Sequence, residues 1–247
     1  MKLQVIVDVY SVINLKKTST GIAHIDTNLD GGICSETITL IYGEPETGKS
    51  TLATQCAFNC AIQGLKTLYV DCDNTFSPIR LAQIADKKFD DIADKIFLIK
   101  PLNFKEQTAV MDRITDYITP QFGLIVIDTI NSLYGAKFAA ASSKTKAFNV
   151  NRELNRQMAI LAQTAKIQKI PIIITSQVRN VFSDPAGSVK PAANRVLTFW
   201  ADNIISLKPT ETKIIKATIE KNSEKTTQLT CYIQIGERGI FATEFYE

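Results

Sequence analysis

Residues 43–50 read Gly43-Glu44-Pro45-Glu46-Thr47-Gly48-Lys49-Ser50, which is the glycine, lysine and serine spacing of a phosphate-binding loop. Residues 37–42 form an apolar, β-branched run before it and predict a strand, and residues 50–61 predict a helix after it. In this order, loop N–H groups and the positive end of the helix dipole surround phosphate oxygens. The stretch therefore predicts a nucleotide site in an α/β fold.

The chemistry of the loop assigns roles to particular side chains. Lys49 is expected to reach the β- and γ-phosphates, and the Ser50 hydroxyl is expected to hold Mg²⁺. Asp128 ends the apolar run 124–127, which looks like a central parallel strand, and we expect its carboxylate beside the magnesium ion. The residues expected to contact nucleotide in this segment are Gly43, Glu44, Pro45, Glu46, Thr47, Gly48, Lys49, Ser50 and Thr51.

The composition indicates a globular chain without a membrane segment. The chain has 247 residues, 45% of them hydrophobic, which suffices for one large α/β domain. Its apolar runs are far shorter than the ~20 residues that cross a bilayer, and no signal peptide precedes them, so a cytoplasmic location is expected. Five cysteines without a Cys-x-x-Cys pair are expected to be buried thiols. The net charge of +3 permits nucleic-acid binding without arguing for it.

The remaining pattern places parallel strands first and antiparallel strands last. Strands are predicted at 67–71, 95–99, 124–128 and 171–175, with helices between them that include 105–118 and 152–169. Four alternating segments between 202 and 245 predict an antiparallel edge. Two stretches, 134–149 and 179–195, are predicted to be long loops, the first of them mobile. We interpret residues 1–17 as an N-terminal arm and 18–247 as a single domain.

The order of these motifs resembles the core of the RecA/RadA recombinase family, and more closely the archaeal RadA paralogues of the RadB type. The segments that carry the resemblance are 20–33, 69–80, 154–156 and 175–178, and it extends over about 18–245. It implies a RecA-like P-loop NTPase core with a central, mostly parallel sheet flanked by helices and antiparallel C-terminal edge strands. It also implies ATP and Mg²⁺ as cofactors.

Position by position, the resemblance implies further site residues. The family's catalytic glutamate falls on Asp73, its adenine-stacking arginine on Arg80 and its γ-phosphate-sensing glutamine on Gln177. The alternative for Asp73 is a turn or helix-capping carboxylate, and the alternative for Arg80 is a solvated helix residue. For Gln177 the alternative is an amide at the edge of the core. With Lys49, Asp73 and Gln177 are the catalytic candidates. Because aspartate is one methylene shorter than glutamate, slow hydrolysis is expected.

The resemblance also implies that both predicted loops face single-stranded DNA. Basic side chains would neutralise phosphates and an aromatic ring would stack on a base, although a merely solvated set of charges is the alternative. The candidate DNA-binding residues are Lys137, Lys144, Lys146, Arg179, Phe182 and Lys190.

The sequence also departs from the family pattern. The arm is too short for a helix-hairpin-helix domain, and no Phe-x-x-Ala polymerisation motif precedes the core. Ala193-Asn194 stands where the family has two glycines, which removes conformational freedom there. We therefore expect filament formation and strand exchange to be impaired.

These observations lead to one favoured function and two alternatives. The favoured function is an ATP-binding RadA paralogue, a slow DNA-dependent ATPase that binds single-stranded DNA and modulates homologous recombination and DNA repair. The first alternative is a nucleotide-binding adaptor that docks on the main recombinase or other paralogues, as a homo- or hetero-oligomer, with little hydrolysis; an edge strand in residues 1–15 would suit it. The second is a KaiC-like signalling ATPase, disfavoured because Asn74 follows Asp73 where that group carries a second acidic residue.

Overall fold

The computed structural model describes residues 17–180, 189–191, 193–222 and 228–244. Its helices are α1 (Ala23–Asn28), α2 (Lys49–Ile62), α3 (Pro78–Ala85), α4 (Phe89–Ile92), α5 (Phe104–Asp112), α6 (Ser132–Ala139), α7 (Lys144–Gln168) and α8 (Asn194–Trp200). Its strands are β1 (Lys17–Thr18), β2 (Ile33–Cys34), β3 (Ile38–Gly43), β4 (Lys66–Asp71), β5 (Ile96–Ile99), β6 (Phe122–Asp128), β7 (Ile172–Asn180), β8 (Val189–Pro191), β9 (Asn203–Pro209), β10 (Ile214–Lys221), β11 (Leu229–Gly236) and β12 (Gly239–Thr243).

One large sheet organises these elements. Its strands lie in the order β5-β4-β6-β7-β3-β9-β10-β11-β12, and β8 pairs with β7. Every pairing from β5 to β9 is parallel, and every pairing from β9 to β12 is antiparallel. The predicted fold class, a mostly parallel sheet flanked by helices with an antiparallel C-terminal edge, is confirmed.

Both faces of the central parallel strands are buried, which explains their continuous apolar sequences. All residues of β3 and β6 are buried. Leu40 joins a cluster with Leu154 of α7, whereas its neighbour Ile41 joins the opposite cluster with Leu52 of α2. Successive strand residues alternate between the faces, and helices cover each face, so strands of this kind need no polar side.

The segment 134–149 is not the predicted mobile loop, because most of it is helical. Tyr134 is buried in α6, where its ring lies 6.2 Å from that of Phe104, and its hydroxyl donates to Asn151 of α7. The side chain of Ser143 accepts a hydrogen bond from the backbone N–H of Lys146 and caps the start of α7. These tertiary contacts and the cap outweigh the small and polar composition that suggested a loop.

Other boundaries also differ from the predicted ones. Helix α5 ends at Asp112 rather than 118, and a 3-10 turn follows that buries Ile114. The second predicted loop contains the end of β7, β8 and the start of α8, whereas residues 181–188 lie outside the described part of the chain, as do residues 1–16 with their predicted strand. Within the described ranges, no helix combines the length and apolarity needed to cross a membrane.

A single buried glutamine joins the two ends of the described chain to the helix after the phosphate-binding loop. Gln55 lies on α2 and is 6% exposed. Its Nε2 donates to the backbone oxygens of Thr20 (2.8 Å) and Ile240 (3.0 Å), and its Oε1 accepts from the Ile240 N–H at 2.7 Å. One amide thereby satisfies three backbone groups that would otherwise be buried without partners.

We expect Gln55→Ala to lower the free energy of unfolding by about 2 kcal/mol, because buried polar groups would lose their partners. Urea denaturation followed by circular dichroism measures the change. Gln63→Ala, at an exposed position just after the same helix, is the control and should change stability by less than about 0.5 kcal/mol. Equal stability of the two variants would contradict the bridging role of Gln55.

Candidate functional site

The phosphate-binding motif forms a tight loop between β3 and α2. Gly48 stands at the start of α2 with φ 89°, a left-handed conformation that suits glycine. A Cβ there would also lie 2.9 Å from Ile235 Cδ1, so the Ile235 side chain would have to shift. The Thr47 hydroxyl donates to the Glu44 carbonyl at 2.8 Å and closes the loop, with Pro45 exposed between them. The predicted strand, loop and helix order is therefore present.

Lys49 points back into this loop. It is 7% exposed, and its Nζ donates to the carbonyl of Glu44 at 2.7 Å. Burial lowers the pKa of Lys49, while the negative charges of Asp128, Asp73 and Glu44 act to raise it. The ammonium group is thus held at the mouth of the loop among carboxylates, where an anionic ligand oxygen can replace the carbonyl.

A groove of about 180 Å³ opens over the start of α2. It is lined by Glu46, Gly48, Lys49, Ser50, Thr51 and Ile235. Five of these were predicted to contact nucleotide. Ile235 was not, because it comes from β11, nearly 190 residues after the loop, and only its apolar alternation marks it in the sequence.

Asp128 lies buried at the end of β6 and is fixed by side chains from its neighbours. Its Oδ2 accepts from the Tyr69 hydroxyl at 2.7 Å, and its Oδ1 accepts from the Thr175 hydroxyl. Burial raises the pKa of Asp128, and the nearby hydroxyls of Thr175, Tyr69 and Ser50 act to lower it. The two residues expected to hold magnesium, Ser50 and Asp128, therefore lie near each other. Tyr69 and Thr175 are supporting residues that the sequence did not indicate.

Asp73 and Gln177 also meet at the same edge of the sheet. Asp73 Oδ2 accepts from Gln177 Nε2 at 3.2 Å and from the Thr129 hydroxyl at 2.7 Å. The helix-capping alternative for Asp73 does not hold, since Ser77 caps α3. Thr129 was not predicted, because its place beside Asp73 depends on the pairing of β4 with β6.

Arg80 is bound to the turn between β11 and β12. Its guanidinium donates to the carbonyls of Gly236 at 2.8 Å and Glu237 at 2.7 Å. These residues directly follow Ile235, which lines the groove over α2. Arg80 is therefore an anchored side chain near that groove rather than a freely solvated one.

The basic candidates lie in two places. Lys137, Lys144 and Lys146 are exposed on α6 and the first turn of α7, and Lys137 and Lys146 line a groove of about 440 Å³. Lys190 lies on β8 beside a second groove of about 260 Å³. Arg179 belongs to β7, with its backbone in register with Lys190, whereas Phe182 lies outside the described residues.

Comparison with known proteins agrees with this geometry. The profile of the Rad51 family matches residues 11–243. The DNA repair and recombination protein RadB of Thermococcus onnurineus (strain NA1) is 32% identical over 226 residues, which cover 90% of this chain and 96% of that protein. Its counterpart in Methanobrevibacter smithii is 34% identical over 187 residues, covering 74% of this chain and 77% of that protein.

A solved structure, described as the crystal structure of the RadB recombinase, superposes with a TM-score of 0.77 at 30% identity and covers 92% of this chain and 100% of that one. The resemblance inferred from the motifs is confirmed. The chain belongs to the Rad51 family, as a RadA-like paralogue of the RecA-type recombinases.

Proposed function

We propose that this chain binds ATP and Mg²⁺, hydrolyses ATP slowly in the presence of single-stranded DNA, and modulates homologous recombination and DNA repair. The observation that carries the proposal is the convergence of Lys49, Asp128, Asp73 and Gln177 at the carboxyl ends of neighbouring parallel strands and the loop after β3. The names of the RadB relatives, which specify DNA repair and recombination, support the biological context.

The donor set fits a nucleotide with magnesium. The loop offers N–H groups and the Lys49 ammonium to phosphates, and the start of α2 adds its dipole. The Ser50 hydroxyl and the Asp128 carboxylate are hard oxygen donors of the kind that hold Mg²⁺ together with water and phosphate. Bound there, Mg²⁺ would neutralise charge on the phosphates. Tyr69 and Thr175 keep the Asp128 carboxylate oriented.

Asp73 is the proposed general base. Gln177 and Thr129 fix its carboxylate through Oδ2, and Gln177 is itself held because its backbone N–H donates to Asn131 Oδ1 at 3.2 Å. An aspartate reaches less far than a glutamate from the same backbone position, so it would hold the attacking water less well. Slow turnover follows from this geometry.

The exposed lysines of α6 and α7 are the proposed contact with DNA phosphates. Lys144 and Lys146 lie in the first turn of α7, where the helix dipole adds to their positive charge, and Lys137 lines the same groove as Lys146. The segment 131–134 connects these lysines to the proposed nucleotide site. At one end Asn131 contacts Gln177, and at the other Tyr134 contacts α7. This continuity supports coupling between DNA binding and hydrolysis.

We expect Lys49→Ala to weaken ATP binding by about tenfold or more and to abolish hydrolysis, because a charged contact to phosphate is lost. Steady-state hydrolysis, measured with and without single-stranded DNA, and calorimetric ATP binding provide the readouts. Lys105→Ala, which removes an exposed lysine of α5, is the matched control and should behave like the wild type. Wild-type turnover at the level of Lys49→Ala in both conditions would refute the ATPase.

We expect the triple replacement Lys137→Ala, Lys144→Ala and Lys146→Ala to weaken binding of an oligo(dT) probe and to flatten its salt dependence. Loss of three phosphate contacts reduces the slope of log K against log [salt] by about 2. A triple variant at the exposed lysines 87, 88 and 105 changes net charge equally and is the control. Identical slopes for both variants would remove α6 and α7 from the DNA interface.

A second candidate function is docking on the main recombinase. An apolar surface at the β5 side of the sheet, away from the antiparallel strands, favours it. Among the described strands, β5 is the last one on this side of the sheet, and beside it lies an apolar groove of about 380 Å³. Phe97, Leu98 and Tyr117 line this groove and are 43%, 39% and 40% exposed. An extended apolar segment of the recombinase could pair with the strand and bury these side chains.

If this docking occurs, Leu98→Glu should abolish capture of purified RadA recombinase from the same organism and leave ATP binding unchanged, because the charge would be buried on association. A pull-down with the full chain measures capture. Ile167→Glu, at an exposed site on α7, is the control. Retained capture by Leu98→Glu would exclude the β5 edge as the docking site.

A further inference from the structure

The loop that carries Asp73 is closed by a buried carboxylate. Asp71, the last residue of β4, has a fully buried side chain. Its Oδ1 accepts the backbone N–H of Thr75 and its Oδ2 that of Phe76, each at 3.0 Å. The carboxylate thus holds the far end of the loop 72–76 against the strand from which the loop leaves.

A lysine from the neighbouring strand contacts both this carboxylate and the loop. Lys100 directly follows β5, and its Nζ lies 3.6 Å from Asp71 Oδ2 and 3.1 Å from Asn74 Oδ1. Asn74 has φ 56°, a left-handed conformation that asparagine adopts more readily than most residues. Lys100 therefore forms an ion pair with the buried Asp71 carboxylate and also donates a hydrogen bond to Asn74, the residue next to Asp73.

The other contacts of the loop leave Asp73 little freedom. At its start, the Cys72 N–H donates to the Asp128 carbonyl at 2.7 Å. At its end, the Phe76 ring packs edge-on against that of Tyr69, with centroids 4.8 Å apart. Between these anchors, the described hydrogen bonds of the residues 73–74 come from three side chains. Gln177 and Thr129 bind Asp73, and Lys100 binds Asn74.

We propose that Asp71 and Lys100 are positioning residues that hold the loop 72–76 and thereby keep the Asp73 carboxylate against Gln177 and Thr129. Neither residue needs to touch nucleotide for this role. The inference rests on the proposed function, because the residue that Asp71 and Lys100 orient is the proposed general base. The proposal adds that the loop 72–76 is held in place from the end of β5 by Lys100, whose side chain is 39% exposed.

The first test is amide hydrogen exchange of Thr75 and Phe76 in the full chain without nucleotide. Lys100→Met removes the charge at a partly exposed site and should accelerate exchange of both amides about fivefold, the effect of losing one ordinary polar interaction. Lys100→Arg should restore protection. Lys95→Met, which removes a lysine whose ion pair is with Asp94, is the control and should leave both amides unchanged.

The second test is ATP turnover by the same variants. Lys100→Met should lower kcat, expressed per folded molecule as measured by circular dichroism, about fivefold or more with KM unchanged, because only the placement of the proposed general base changes. Unchanged exchange at Thr75 and Phe76 in Lys100→Met overturns the proposal, as does accelerated exchange with an unchanged kcat. If the wild type hydrolyses no ATP, the proposed function fails, and the exchange rates with the Lys100→Arg rescue still decide whether Lys100 holds the loop.

Discussion

The register of the parallel strands is the constraint on which the site depends. Gly43 of β3 lies opposite Gln177 of β7, and Asp71 of β4 lies opposite Asp128 of β6. Because side chains alternate between faces, a slip of one residue would turn the Asp128 carboxylate to the other face of the sheet and separate it from its partners. Two buried faces make such a slip costly, so the apolar core also fixes the polar geometry.

Charge compensation at the strand ends follows from this register. A buried carboxylate is stable only when hydrogen bonds or cations satisfy it, and Asp128 has two hydroxyl donors while Asp71 has two N–H groups and Lys100. Lys49 is in turn surrounded by negative charge and bonded to a carbonyl of its own loop. The edge is thus polar and largely preorganised, and the proposed binding of phosphate would exchange few contacts.

The sequence predicted local features well and long-range ones poorly. The phosphate-binding loop and the strand ending in Asp128 were identified because each is encoded within a few consecutive residues. Thr129 and Ile235 were not, since their relevance comes from pairings between distant segments. The helices in 132–149 were missed for the same reason: the burial of Tyr134 against Phe104 is invisible in a local pattern of small and polar residues.

The position of β3 also determines when the proposed nucleotide site can form during synthesis. Its neighbours in the sheet are β7 and β9, so Ile38 pairs with Ile172 and its N–H binds Asp202, 164 residues later. The phosphate-binding loop therefore leaves the ribosome long before either strand that supports it. Until then the nascent chain exposes an apolar strand with two open edges, a state prone to aggregation. The segment proposed to bind ATP is made early, after only the core residues of α1 and β2, and its surroundings in the sheet are among the last parts of the core to be completed.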